Sequence, residues 1–328
     1  IGGLSGDAIT TGHSNTTLGV SSLGINTTGI YNLALGISAL ESNTTASYNT
    51  AVGARSLEDN TTGEYNTAVG KSAGAANTTG GSNTFVGGLT GTATTTGLAN
   101  TAIGMQALTT NTTGGNNIAV GKYALLSNTT ASNNTAVGYS SLNANTTGAY
   151  NVAVGFQALA NNTTGRNVAL GADSLVLNTT GANNCGLGDS TLALNTTGTN
   201  NTAAGFNALD SNTTASNNSA FGFHALGANT TGYNNTAVGK DSLETNTTGV
   251  NNSAFGLGSL ELNTTGDNNV AVGLNSLASN TTASNNTAVG YAALVANTTG
   301  AANTAVGTLS GDALTTATEL SAFGFDAG

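Results

Sequence analysis

Few residues in this chain have the chemistry for catalysis or metal binding. Two histidines, one cysteine, five Lys or Arg and fifteen carboxylates are spread over 328 residues. His13 and His224 are far apart, and no acidic residue or cysteine recurs beside either, which reads as incidental surface. Cys185 stands alone, so no disulfide forms within the chain, and its place in the repeat fits a small buried residue better than a nucleophile. Val69-Gly70-Lys71-Ser72 imitates the end of a phosphate-binding loop, but Tyr65 stands where that motif needs its first glycine. Acids such as Glu41, Glu58, Asp59, Asp210, Glu244 and Glu261 do not recur at one place in successive units, as a calcium-binding β-roll requires. Nor do they cluster on one face, as a solenoid that cleaves polysaccharide requires. The expectation is a protein that is not an enzyme and has no catalytic residue, metal or cofactor.

Composition narrows the partners. The net charge is −10, and five basic residues are too few to neutralise a phosphate backbone, so nucleic acid is excluded. No apolar run approaches the length of a membrane span. Hydrophobic content of 38% with only 6% charged residues argues against disorder.

Two recurrent features retain functional interest. Aromatic residues Tyr139, Phe156, Phe206, Phe223, Tyr291 and Phe325 each follow directly after a recurring glycine. On an exposed rim they would stack on sugar rings; otherwise they cover a thin core or line a chain interface. Asn-Thr-Thr recurs with asparagines at Asn26, Asn43, Asn60, Asn77, Asn111, Asn128, Asn145, Asn162, Asn178, Asn195, Asn212, Asn229, Asn246, Asn263, Asn280 and Asn297. Each matches the N-glycosylation acceptor pattern, which would make the chain a glycoprotein after a glycosylating secretory route. The competing reading makes these asparagines and threonines ladder residues, since Thr-Thr persists where Ile9, Thr94 or Leu314 replaces the Asn.

The elements that must position these residues come from a repeat. The closing glycine of Asn-Thr-Ala-Val-Gly serves as a ruler, recurring from Gly2 to Gly324 at steps of 17 residues. One step, Gly155 to Gly171, is 16, because Gly165-Arg166 replaces a three-residue stretch such as Gly148-Ala149-Tyr150; a deletion there marks a surface turn. Counting from the ruler, position −4 is Asn, −2 is Ala and −1 is aliphatic or aromatic in nearly every unit. Position +4 is Leu in fifteen units, +7 is Asn in sixteen, and +8 and +9 are Thr-Thr throughout.

Thr, Gly and Asn in every unit rule out helices. Asn-Thr-Ala-Val-Gly alternates as a short strand does, and a second strand is expected from before the Leu towards Thr-Thr. The expected fold is all-β: a parallel β-solenoid, or β-roll, of about twenty 17-residue coils filling residues 1–328 as a single domain. At ~4.8 Å per coil it would be a rod roughly 95 Å long. Val and Leu columns are expected to face inward, Asn columns to pass amide hydrogen bonds between coils, and Thr columns to bond hydroxyl to hydroxyl. Burial of one Val and one Leu per coil is modest against the entropy of ordering it. Lateral association is therefore expected, through a small flat face of Ala, Gly and Asn; the residues do not fix the number of chains.

Asn-Thr-Ala-Val-Gly-x-x-Ala-Leu, preceded by Gly-x-Asn and carried by residues such as Asn134-Thr135-Ala136-Val137-Gly138, resembles the head repeats of trimeric autotransporter adhesins and the repeats of phage tail fibres. The resemblance covers every register, although the adhesin unit lacks the added Asn-Thr-Thr. It implies a left-handed parallel β-roll, a trimer, and an extracellular, cell-surface or virion fibre that extends and adheres, with surface glycans as candidate ligands. The alternative from another class is an ice-binding solenoid presenting its Asn-Thr-Thr columns. The two ends add an expectation of their own. Leu4-Ser5-Gly6-Asp7-Ala8-Ile9 nearly repeats as Leu309-Ser310-Gly311-Asp312-Ala313-Leu314, and neither end carries a polar cap. Continuation into further sequence, or end-to-end stacking into a filament, is expected.

Overall fold

The structure, a computed structural model, describes residues 2–328. Among them there is no helix, and nineteen three-residue strands occur, one for each register from Gly19 to Gly324. The chain forms two compact units. The first ends at Arg166 and holds β1 (Thr16–Leu18) through β9 (Val152–Val154). The second, Asn167–Gly328, holds β10 (Val168–Leu170) through β19 (Ser321–Phe323). The boundary falls at the coil that is one residue short. Within each unit successive strands pair in parallel, one coil apart, as Thr50↔Thr67 and Val52↔Val69 do in the first and Thr236↔Ser253 in the second. Each unit is a parallel β-solenoid.

Only one strand forms per coil. The expected second strand fails because the residues at +2 and +4 take positive φ, as at Ser38 (φ 54°) and Leu40 (φ 52°). Alternating left-handed residues cannot hold a pleat, so this side of the coil is a chain of turns. A left-handed Leu is unfavourable by about 1–2 kcal/mol. Full burial of its side chain, worth about 1.5–3 kcal/mol, offsets that. Leu40, Leu108 and Leu226 are 0% exposed. The ruler glycines have a separate requirement. Gly138 has φ 135°, and a Cβ there would lie 2.3 Å from the Gly155 carbonyl oxygen.

The strand faces the opposite way from the hydrophobicity order. Ala at −2 points inward and is fully buried in Ala51, Ala136 and Ala237, whereas Val69, Val154 and Val238 at −1 are more than a third exposed. The inward Leu from the far side of a narrow coil leaves room opposite it for a methyl group and little more. The expected association face of Ala is therefore interior. The irregular coils show the same packing constraint. Phe85 replaces the Ala in β5 (Thr84–Val86) and is fully buried, and the coils at its own level and the one before carry Gly91 and Gly74 in place of Leu. A Cβ on Gly74 would meet the Phe85 ring at 2.6 Å, and one on Gly91 at 2.3 Å. One large side chain fills the space two leucines have left. Near the chain ends, Ile9 and Leu314 stand in the Asn column and reach towards Gly6 and Gly311, at 3.3 and 3.1 Å from a Cβ placed there.

The asparagines form two buried columns. At +7, Asn43 Nδ2 donates to Asn26 Oδ1 at 2.8 Å and to the Ala46 carbonyl at 3.1 Å, and the pattern repeats from coil to coil. Where Thr94 or Leu314 replaces the Asn the chain of amides stops, leaving Asn77 Oδ1 and Asn297 Oδ1 buried and unpaired. At −4, Asn32 Oδ1 accepts from the Asn49 backbone N–H at 3.0 Å, while its Nδ2 donates to the Ala46 carbonyl at 2.9 Å. Threonines at +8 donate to a backbone carbonyl of the next coil, as Thr61 Oγ1 does to Thr78 at 3.0 Å, not to a neighbouring hydroxyl. Buried polar groups thus find partners at 17-residue spacing, which fixes the register of the stack.

Candidate functional site

Each unit exposes apolar side chains beside its ruler glycines. The residue after each ruler glycine projects outward, and Tyr139 (44%), Phe156 (50%), Phe206 (48%), Phe223 (42%) and Tyr291 (49%) are all substantially exposed. They do not cover the core. Val20, Ile37 and Met105 in the first unit and Leu257 and Leu274 in the second occupy the same column, each 42–59% exposed. Two residues back, the outward side chains at −1 include Ile103 and Val154 in the first unit and Phe221 and Phe255 in the second, also exposed. Each unit therefore carries a stripe of outward apolar side chains at −1, widened at +1 where that residue is apolar and interrupted there by Lys71, Gly88 and Lys122 in the first unit and by Asp189 and Lys240 in the second. Aromatic neighbours in the stripe stack: Tyr139 on Phe156 with centroids 5.5 Å apart, and Phe206 on Phe223 at 5.6 Å.

A second aromatic column lies on the strand's other flank, at −5. Tyr31, Tyr48 and Tyr65 stand at −5 in three successive coils, spaced by 17, and stack at 5.3 and 5.0 Å with rings nearly parallel. All three are about half exposed. The equal spacing was the available signal, masked because most other coils hold Asn, Ser or Ala at that place, Tyr150 being the one further tyrosine.

Every asparagine of the Asn-Thr-Thr set is buried. The amide nitrogen to which a glycan would be joined donates inward in Asn60, Asn128 and Asn246, for example, to the preceding asparagine and to a backbone carbonyl three residues ahead. A sugar cannot be carried there by the folded coil. Of the two threonines, that at +8 is half-buried in most coils with its hydroxyl engaged, and that at +9 is exposed, so one Thr column is presented, as at Thr28, Thr45 and Thr62.

Cys185 lies in β11 (Cys185–Leu187) at position −3. It is half-buried on the outward side of the strand, not enclosed in the core. Partial burial pushes its thiol pKa up, because the thiolate is poorly solvated there. Alkylation by iodoacetamide at neutral pH is therefore expected to be slower in the folded protein than in the urea-unfolded chain at the same pH. Equal rates would show that the environment does not hold the proton.

His224 has acidic neighbours that its own stretch of sequence does not show. Its Nδ1 lies 3.6 Å from Glu244 Oε1, and Asp241 completes a half-buried group whose ligand atoms all lie within 4.8 Å of one another. Asp210 faces the same space; burial holds its pKa above the usual carboxylate value, and the nearby His224 opposes this only in part. No helix among the described residues is long and apolar enough to cross a membrane. No family model matches the chain, and no curated protein matches its sequence.

Proposed function

We propose that this chain is a non-catalytic structural element of an extracellular, cell-surface or virion fibre, giving reach and rigidity and a surface for adhesion. The observation that carries this reading is the exposed apolar stripe on a repeat solenoid. An exposed apolar surface of this kind marks a site of association, and here the partner with the matching period is another copy of the same chain. Side-by-side packing of copies along the stripe buries the Val, Ile and Phe side chains at −1 and the aromatic and aliphatic ones at +1, both of which a single coil leaves in water. The resemblance to adhesin-head and tail-fibre repeats favours three chains. Rings that an assembly leaves open would offer flat faces to sugars, which is the adhesive part of the reading.

Light scattering of the purified 1–328 chain is expected to give a discrete multimer. Tyr139→Glu with Phe156→Glu should shift it to the monomer mass with an unchanged circular dichroism spectrum. A wild-type chain that stays monomeric at high concentration would overturn lateral association. Glycan binding that survives Tyr139→Ala with Phe206→Ala would remove the rings from adhesion.

A further inference from the structure

In the second unit, coil positions +2 and +5 run as two neighbouring columns over three successive coils. Position +2 holds Asn207, His224 and Asp241; position +5 holds Asp210, Gly227 and Glu244. The glycine in the middle matters, because most other coils carry a side chain at +5. Its absence opens a cavity of about 260 Å³ lined by Asn207, Asp210, His224, Gly227 and Glu244 among others. That space is small for an organic ligand and ample for a hydrated ion.

We propose that His224, Asp241 and Glu244 form a binding site for a divalent first-row transition cation of the zinc class. Three donors from two adjacent coils already converge, with every ligand atom within 4.8 Å of the others. An imidazole nitrogen with two carboxylates suits zinc-like ions, whereas calcium and magnesium take oxygen alone. The histidine is oriented for the task. Nδ1 faces Glu244 at 3.6 Å, and Nε2 lies 3.3 Å from Asn207 Nδ2, which donates to it; with that amide flipped, its oxygen would instead accept the Nε2 proton while Nδ1 binds metal. Phe223 stacks on the imidazole at 4.0 Å and restricts its rotation. Lys240 pairs with one oxygen of Asp241, leaving the other as a ligand. Asp210, Asp241, Glu244 and Glu261 outnumber that single ammonium, so the locality favours a cation. Water fills the fourth position, in the cavity that Asp210 also lines. The ion would pin two coils together.

Zinc chloride titrated calorimetrically into 1–328 carrying Cys185→Ser, which removes the only thiol, is expected to bind one equivalent and raise the unfolding temperature. His224→Ala and Glu244→Gln should each weaken binding at least ~100-fold, since the loss of a mere supporting residue costs 10–100-fold. Gly227→Val keeps every ligand and fills the cavity with the residue found at this position in Val176 and Val295, and it too should weaken binding. His13→Ala, in the first unit, should bind as the parent does. Metal-free unfolding temperatures identify any variant that fails to fold. Absence of saturable binding, or unweakened binding in His224→Ala or Gly227→Val, would overturn the site.

Discussion

Phe85→Ala is expected to destabilise the first unit by about 3–5 kcal/mol, the usual cost of emptying a fully buried ring site. The cost should fall at the upper end because Gly74 and Gly91, which face the ring, have no side chain with which to fill the space. Gly74 and Gly91 flank the ring with φ 59° and 58°, a little above the 47–54° seen for leucines at that position. The same geometry gives a reversal of sign. In the parent chain Gly91→Leu must destabilise, because its Cβ would stand 2.3 Å from a ring carbon of Phe85. In the Phe85→Ala background, Gly74→Leu and Gly91→Leu restore the Ala and Leu arrangement of the ordinary coil and should recover most of the loss. A double-mutant cycle by chemical denaturation measures this. Additive effects would mean that the ring and the two glycines are not packed as described. Because a repeat stack need not unfold in one step, hydrogen exchange across β4 (Thr67–Val69), β5 and β6 (Thr101–Ile103) should show the loss confined to these coils.

The second large effect is expected at the ruler. Gly138→Ala meets two penalties together. Its φ of 135° is one that side chains rarely adopt, at roughly 1–3 kcal/mol, and its new methyl group would sit 2.3 Å from a backbone oxygen of the next coil. That oxygen belongs to Gly155, itself a ruler glycine, so it has no flexible side chain with which to yield. A loss of at least about 3 kcal/mol is expected, read as a fall in denaturant midpoint and earlier proteolysis near this coil. Gly88→Ala is the matched control. It lies directly after a ruler glycine, a Cβ there has no atom within 4 Å, and its change should stay within about 0.5 kcal/mol. Similar losses in both variants would argue against the close stacking of the ruler column.

The period, the strand at Thr-Ala-Val, the inward Leu and the asparagine ladders could all be read from the order of residues. In a parallel stack each position meets its own counterpart, so one residue type per position is itself the contact map. The side of the strand that faces inward was not legible. By transfer energy Val should be buried in preference to Ala, and only the width of the closed coil, already occupied by Leu, reverses that choice. The turns at +2 and +4 escaped for a related reason, because Leu is a poor left-handed residue and takes that conformation only where its burial compensates. Phe85 meets Gly74 and Gly91 across the core at separations of 11 and 6 residues, and His224 meets Asp241 and Glu244 at 17 and 20. Such pairs look unrelated along the chain. Closure of a 17-residue coil brings them together, and that closure belongs to the tertiary structure.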